Sequence, residues 1–177
     1  MSALRLINET EITSSVSSVD ITNVFSADFD IYFATISNVS QDSTTANQVR
    51  MRFINSSGSV VSASNYDNAR LDMAAEIAFG EPRATNADST GTSFVMSNDL
   101  EPEGLSNSYY FFNPYSSSSY TFALQQGSAR LSGVFRSGKG IAVLKQLTSI
   151  TGFHIYQATA SINMNSGTIR TYGLSVN

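Results

Sequence analysis

The feature that most constrains this chain is alternation with a period of two, repeated in short runs and broken by turn residues. Gln48, Arg50 and Arg52 interleave with Val49, Met51 and Phe53. Tyr120, Phe122 and Leu124 alternate with polar neighbours, and Leu131, Gly133 and Phe135 continue the pattern. Successive side chains of a strand point to opposite faces, so this period requires strands. Phe29 to Val39 and Thr151 to Tyr156 are β-branched and aromatic and read as further strands. The punctuation fits. Asn55-Ser-Ser-Gly58 predicts a tight turn with Val60-Val61 starting a return strand, and Asn113-Pro114 predicts a strand stop. Ser137-Gly-Lys-Gly140 and Asn165-Ser-Gly167 read as two more turns, the second leading into a last strand, Thr168 to Val176.

About eight to ten such strands at even spacing predict an all-β fold, an antiparallel β-sandwich or jelly roll, over residues 1–177 as one domain. Residues 1–12, with Leu4, Leu6 and Ile12, are expected as an N-terminal arm or edge strand. Two stretches stand apart. In residues 65–79 the Ala, Met, Leu and Glu content favours helix, whereas Ala69, Leu71, Met73 and Ala75 alternate. The β surroundings tip that reading towards strand and leave helix open. Glu81 to Leu105 holds Pro82, Gly91, Pro102 and Gly104 and reads as one long loop, a length usually tied to function or to a partner.

Composition narrows the chemistry. Ser, Thr and Asn make up 59 of the 177 residues, while charged residues reach only 14%, against roughly 25% in an average globular chain. Such side chains suit turns and outer strand faces, and a surface made of them loses little when buried against a partner. The net charge is −4, with eight Arg and two Lys and no basic cluster, which argues against phosphate-driven binding to nucleic acid. The absence of cysteine removes disulfides, thiolate metal sites and cysteine nucleophiles. No run approaches the roughly 20 apolar residues of a membrane helix, so no membrane partner is expected, and the opening residues lack the pattern of a secretory leader.

Catalytic patterns do not emerge. His154, the single histidine, sits between Phe153 and Ile155 and is expected to be a satisfied, partly exposed strand residue. No GxSxG elbow occurs, and Gly138-Lys139-Gly140 reads as a hairpin turn rather than a phosphate loop. Carboxylates form three loose groups: Asp28 with Asp30 on one strand face, Asp67 with Asp72 and Glu76, and Asp99 with Glu101 and Glu103. The last could offer oxygens to Ca²⁺, but solvated loop charges explain it better, and nothing selects a glycosidase pair. No cofactor is expected. The stronger signal is aromatic. Tyr109, Tyr110, Phe111, Phe112, Tyr115 and Tyr120 crowd one region, and alternation lets only half of the Tyr-Tyr-Phe-Phe run face one core. The simplest reading is a strand buried on both faces; the other is a contact patch for a neighbouring subunit or a glycan.

Several phrases resemble small virion proteins of tailed bacteriophages. They are Val16-Ser-Ser-Val-Asp20-Ile-Thr-Asn23-Val-Phe25 with Asp30-Ile-Tyr32, then Arg50-Met-Arg-Phe53 with Ser64-Asn-Tyr-Asp67, and the ending Ser166-Gly-Thr-Ile-Arg-Thr-Tyr-Gly173. The resemblance covers about a third of the residues, spread along the whole chain. It implies a structural protein on the outer capsid surface of the virion, without an active site. In one form it is a decoration (cement) protein bridging major capsid subunits and meeting copies of itself, as a homotrimer. In another it is a head- or tail-fibre module that recognises host surface glycans. The expected partner contacts are Leu4, Leu6, Phe94, Met96, Tyr109, Tyr110 and Tyr115.

Overall fold

A computed structural model describes residues 3–75, 77–91, 95–96, 104–131 and 133–175. Among them there are thirteen strands and no helix. They are β1 (Ala3–Ile12), β2 (Ser18–Ile21), β3 (Ile31–Gln41), β4 (Asn47–Asn55), β5 (Tyr66–Ala74), β6 (Ile77–Gly80), β7 (Arg83–Ala87), β8 (Val95–Met96), β9 (Leu105–Phe112), β10 (Thr121–Leu131), β11 (Val134–Leu144), β12 (Ile150–Gln157) and β13 (Met164–Ser175). The count exceeds the expected eight to ten because β2, β6, β7 and β8 are only two to five residues long. A nine-stranded sheet runs β1-β13-β3-β9-β10-β11-β5-β6, with β7 also on β5, and a four-stranded sheet runs β2-β12-β4-β8. The pairings are antiparallel and the two sheets pack face to face, so the fold is an antiparallel β-sandwich. The N-terminal residues form an edge strand, since β1 pairs only with β13.

The core lies where the small sheet covers the middle of the large one. Tyr32, Ile36 and Phe111 from the large sheet and Met51, Phe53, Phe153 and Ile155 from the small sheet are almost wholly buried. Each side chain of this kind contributes about 1.5–3 kcal/mol when removed from water. Phe111 is the hub: its ring centroid lies 5.2 Å from Phe25, 5.5 Å from Phe153 and 5.9 Å from Phe53. Buried tyrosines tie the connections to this core. The Tyr66 hydroxyl donates to the Val61 carbonyl at 2.9 Å and accepts the Phe53 N–H at 3.0 Å. Burial therefore pushes its phenol above the ordinary range, against the lowering effect of the Phe53 N–H. Tyr32 plays the same role at Ser26, donating to its carbonyl and accepting its N–H, both at 2.8 Å.

Residues 66–74 form a strand, as the alternation required. Other expectations change. Ser137 to Gly140 is not a turn but lies inside β11, opposite Gly127 to Ser128 and Gln125 to Gln126 of β10. Gly140 is glycine because a Cβ there would overlap the Gln125 side chain. The hairpin closes further on, where Leu131 pairs with Val134 and Gly133 takes φ 83°. Asn165-Ser-Gly167 is likewise no turn: it forms a bulged start to β13, with register shifts on both sides of Ser166. The Asn55–Gly58 turn forms, with the Gly58 N–H on the Asn55 carbonyl at 2.9 Å. Its return is a single bridge, Ile54 to Val60, because the chain then leaves for β5 in the other sheet. The stretch from Glu81 is not all loop, since β7 pairs with β5. Asp28 and Asp30 precede β3 in a turn and do not share a strand face.

Truncating Phe111→Ala should lower unfolding free energy by about 3–5 kcal/mol through the cavity it leaves. Tyr66→Phe should cost about 1–3 kcal/mol, because it strands a buried N–H and a buried carbonyl without changing packing volume. Urea unfolding of both variants measures the losses; a Tyr66→Phe variant as stable as the native chain would show that the hydroxyl anchors nothing.

Candidate functional site

The candidate site is the face of the large sheet turned away from the core, and strand register builds it. Residues directly opposite on antiparallel strands share a face. Following the pairing across the sheet, Leu6, Tyr172, Phe33, Tyr110, Leu124 and Ile141 form one continuous cross-strand row over β1, β13, β3, β9, β10 and β11. A second row runs beside it: Leu4, Leu174, Ile31, Phe112, Phe122 and Val143. The next row on the other side turns polar, through Glu9, Arg170, Thr35, Ser108, Gln126 and Lys139. The same face is thus apolar at one end of the strands and polar towards the other.

These apolar side chains are open to solvent. Leu4 is 53% exposed, Leu6 52%, Phe122 48%, Leu124 44% and Ile141 57%. Aromatic contacts stiffen the row, with Phe33 4.8 Å from Tyr110 and 6.1 Å from Tyr172 between ring centroids. A monomer rarely leaves a contiguous apolar patch larger than a few hundred Å² uncovered. At the β5 side the face is concave. A groove of about 730 Å³ is lined by Leu71, Tyr110, Leu124 and Ile141, with Glu81, Pro82 and Arg83 along it. A second groove of about 620 Å³ lies over Phe122, Leu124, Ile141 and Val143, bounded by Arg83, Ala84 and Thr85.

Of the contacts expected from sequence, Leu4, Leu6 and Tyr110 lie on this face, and Tyr115 is exposed in the loop between β9 and β10. Tyr109 is a correction. It alternates with Tyr110, points inward, is 3% exposed, and accepts a hydrogen bond from Asn107 Nδ2 at 3.3 Å. Phe94 lies outside the described residues; Met96 pairs with Asn47 in β8, and its side chain is likewise outside them. Sequence reading did not select Phe122, Leu124 and Ile141. Their alternation was visible, but period two marks a half-buried strand without saying which face is buried.

Several titratable groups elsewhere are paired within the fold. His154 Nδ1 lies 2.5 Å from Asp20 Oδ1, and its ring stacks on Tyr156. The Arg52 guanidinium lies 4.5 Å from the Tyr156 ring centre and pairs with Asp88. Asp67 and Asp72, expected together, face opposite sides of β5, with Lys145 and Arg70 as their partners at 2.8 and 2.7 Å. Glu76, Asp99, Glu101 and Glu103 lie outside the described residues. Among the described residues no group of three or more His, Cys, Asp or Glu could hold a metal ion. No described helix is long and apolar enough to cross a membrane. No protein-family model matches the chain, and no curated protein matches it as a relative.

Three carboxyls sit below their ordinary value of 3.8. Asn163, through its N–H and its side-chain amide, lowers Asp42. The Lys145 hydrogen bond lowers Asp67. For Asp88, burial pushes upward, but the hydrogen bond and charge of Arg52 outweigh it. A carboxyl depressed in the folded state contributes stability that is present above its unfolded value and lost as pH falls through the folded one. The melting temperature should therefore hold from about pH 7 to about pH 5 and fall towards about pH 2. Asp88→Asn combined with Asp67→Asn should flatten that fall in a thermal-melt series; an unchanged slope would place the acid-labile groups elsewhere.

Proposed function

We propose that this protein is a virion structural component of a tailed bacteriophage, specifically a capsid decoration protein that bridges major capsid subunits on the outer shell. The observation that carries this reading is the exposed double apolar row on the large sheet. Such a face is stable in water only when something covers it, and the chain therefore works by contact area. The Ser-, Thr- and Asn-rich composition supports the reading, because it lets the remaining surface enter contacts at small desolvation cost. The sequence resemblance to small phage virion proteins gives the setting.

The other reading, a fibre module for host glycans, draws on the exposed rings of Tyr110, Tyr115 and Tyr120. Sugar recognition needs hydrogen-bonding groups beside the rings. Ser108, Gln126 and Lys139 do lie beside Tyr110, but the two outward rows place Leu124, Ile141 and Val143 next to Tyr110 and Phe122, and that apolar extent favours a protein partner.

Adding the protein to undecorated shells should raise their thermal disruption temperature. Occupancy at 100 times the dissociation constant adds about 2.7 kcal/mol per site. Light scattering on shells heated with and without it measures the shift, and a glycan array run in parallel tests the other reading. Equal disruption temperatures with saturated binding sites would overturn the decoration role.

A further inference from the structure

From the geometry of the outer face we infer that its occupant is a second copy of this chain, joined face to face about a two-fold axis parallel to the strands. The inference rests on the contact-area reading above and deepens it, since two copies joined this way turn their small sheets outward in opposite directions, as a bridge requires.

Size is the first argument. Six strands from β1 to β11, spaced about 4.8 Å apart, span about 29 Å, and two rows with their side chains occupy about 14 Å along the strands. That is about 400 Å² in projection. The relief of the side chains adds to this, towards the roughly 800 Å² per partner of a standard stable interface.

Shape is the second. The face is uneven: Leu4 and Leu6 stand exposed at the β1 edge, while the grooves over Leu124 and Ile141 lie towards the β5 side. A two-fold axis between β3 and β9 sets β1 of each copy over β11 of the other. Leu4 and Leu6 then meet the grooves, and residues 81–85 flank the incoming edge strand. The operation keeps position along the strands, so apolar rows fall on apolar rows, and each contact is made twice.

Charge is the third. Beside the rows Glu9 pairs with Arg170, Glu81 with Arg83, and Asp67 with Lys145. Among the described residues bordering the rows on their outward face this leaves Lys139 on β11. The same axis keeps position along the strands, so Lys139 of each copy lies over Glu9 of the other, its counterpart in the polar row, and a cation meets an anion across the interface, twice. A face without excess charge on a chain of net charge −4 also suits self-association, because two copies meet without repulsion there.

Sedimentation velocity on the full chain, from about 1 to about 100 µM, should show a dimer. Leu124→Lys and Ile141→Lys change exposed positions and should each weaken it by at least about 100-fold while leaving the circular dichroism spectrum and melting temperature intact. Lys139→Glu should weaken it about fivefold to tenfold, and Lys139→Gln should weaken it less. A monomer across the whole range overturns the proposal, as does a dimer indifferent to the lysine variants; a dimer as tight with Lys139→Glu as with the native residue overturns the docking. The shell-heating experiment separates the two readings. A monomer that still stabilises shells sinks the second copy and keeps the decoration role, and a dimer that leaves shells unchanged does the reverse.

Discussion

The packing of Phe111 against Phe25, Phe53 and Phe153 is the contact on which the rest depends. It joins β9, the fourth strand across the large sheet, to both central strands of the small one, and so sets where the four-stranded layer sits. Four strands cannot cover nine. Beyond the aromatic hub the inner face of the large sheet changes character, and Asn68, Arg70, Asp72, Asn107 and Gln125 replace the hydrocarbons. A crossing segment supplies partners for some of them. Asp88 and its carbonyl take Arg52, Ser89 faces Asn68, the Gly91 carbonyl takes Arg70, and the Thr90 N–H reaches the Met51 carbonyl. Of the polar strand interiors, Asn68 and Arg70 are met by the backbone of residues 88–91 and Asp72 by Arg70, while Asn107 Oδ1 and the Gln125 amide are buried without a hydrogen-bond partner among the described residues.

That division explains the inversion in β10. At Thr121, Ala123 and Gln125 the inner side needs small or polar groups, because the space beneath is narrow or occupied by polar chain. The large apolar residues Phe122 and Leu124 are left on the outside. In a protein that ended at its own surface this would be poor patterning, since exposed apolar sheet invites association. Here outward apolar residues recur in register on six strands, two of which, β3 and β9, are apolar on the inner face as well, and a defect does not repeat in register. The row is a consequence of how the strands are aligned, and alignment is fixed by the core.

The fold was legible in the sequence to the extent that period two is legible. The strands around Val49–Phe53 and Thr151–Tyr156 lie where alternation placed them, and β5 overrode its helical composition because tertiary pairing to β11 outweighs propensities of a few tenths of a kcal/mol per residue. Glycine misled twice. In β11 and β13 it makes room for a neighbour's side chain or a bulge, and a single sequence does not distinguish that use from a turn. The site was half legible. Leu4, Leu6 and Tyr110 stood out, but Tyr109 turned inward, and the partners of Tyr110 in its row come from as far along the chain as Leu6 and Tyr172. Cross-strand rows are a property of register, which the sequence encodes only through the whole core.

The two faces of the sandwich therefore have different physics. The outer face of the large sheet carries two hydrophobic rows across several strands, the kind of surface that resembles a domain core cut in half when it is covered. The outer face of the small sheet holds Arg52, Tyr156, His154 and Asp20 in a paired, stacked array that is polar. Burying the first gains free energy from area alone and is insensitive to salt; meeting a partner through the second adds direction and salt dependence with little area. A component that must first exist in solution and then attach to a larger surface needs both kinds, the permanent contact on the apolar side and the selective one on the polar side. On the pairing proposed above the order follows from the physics: the apolar faces are the more unfavourable to leave in water, so copies would join each other before they meet anything else.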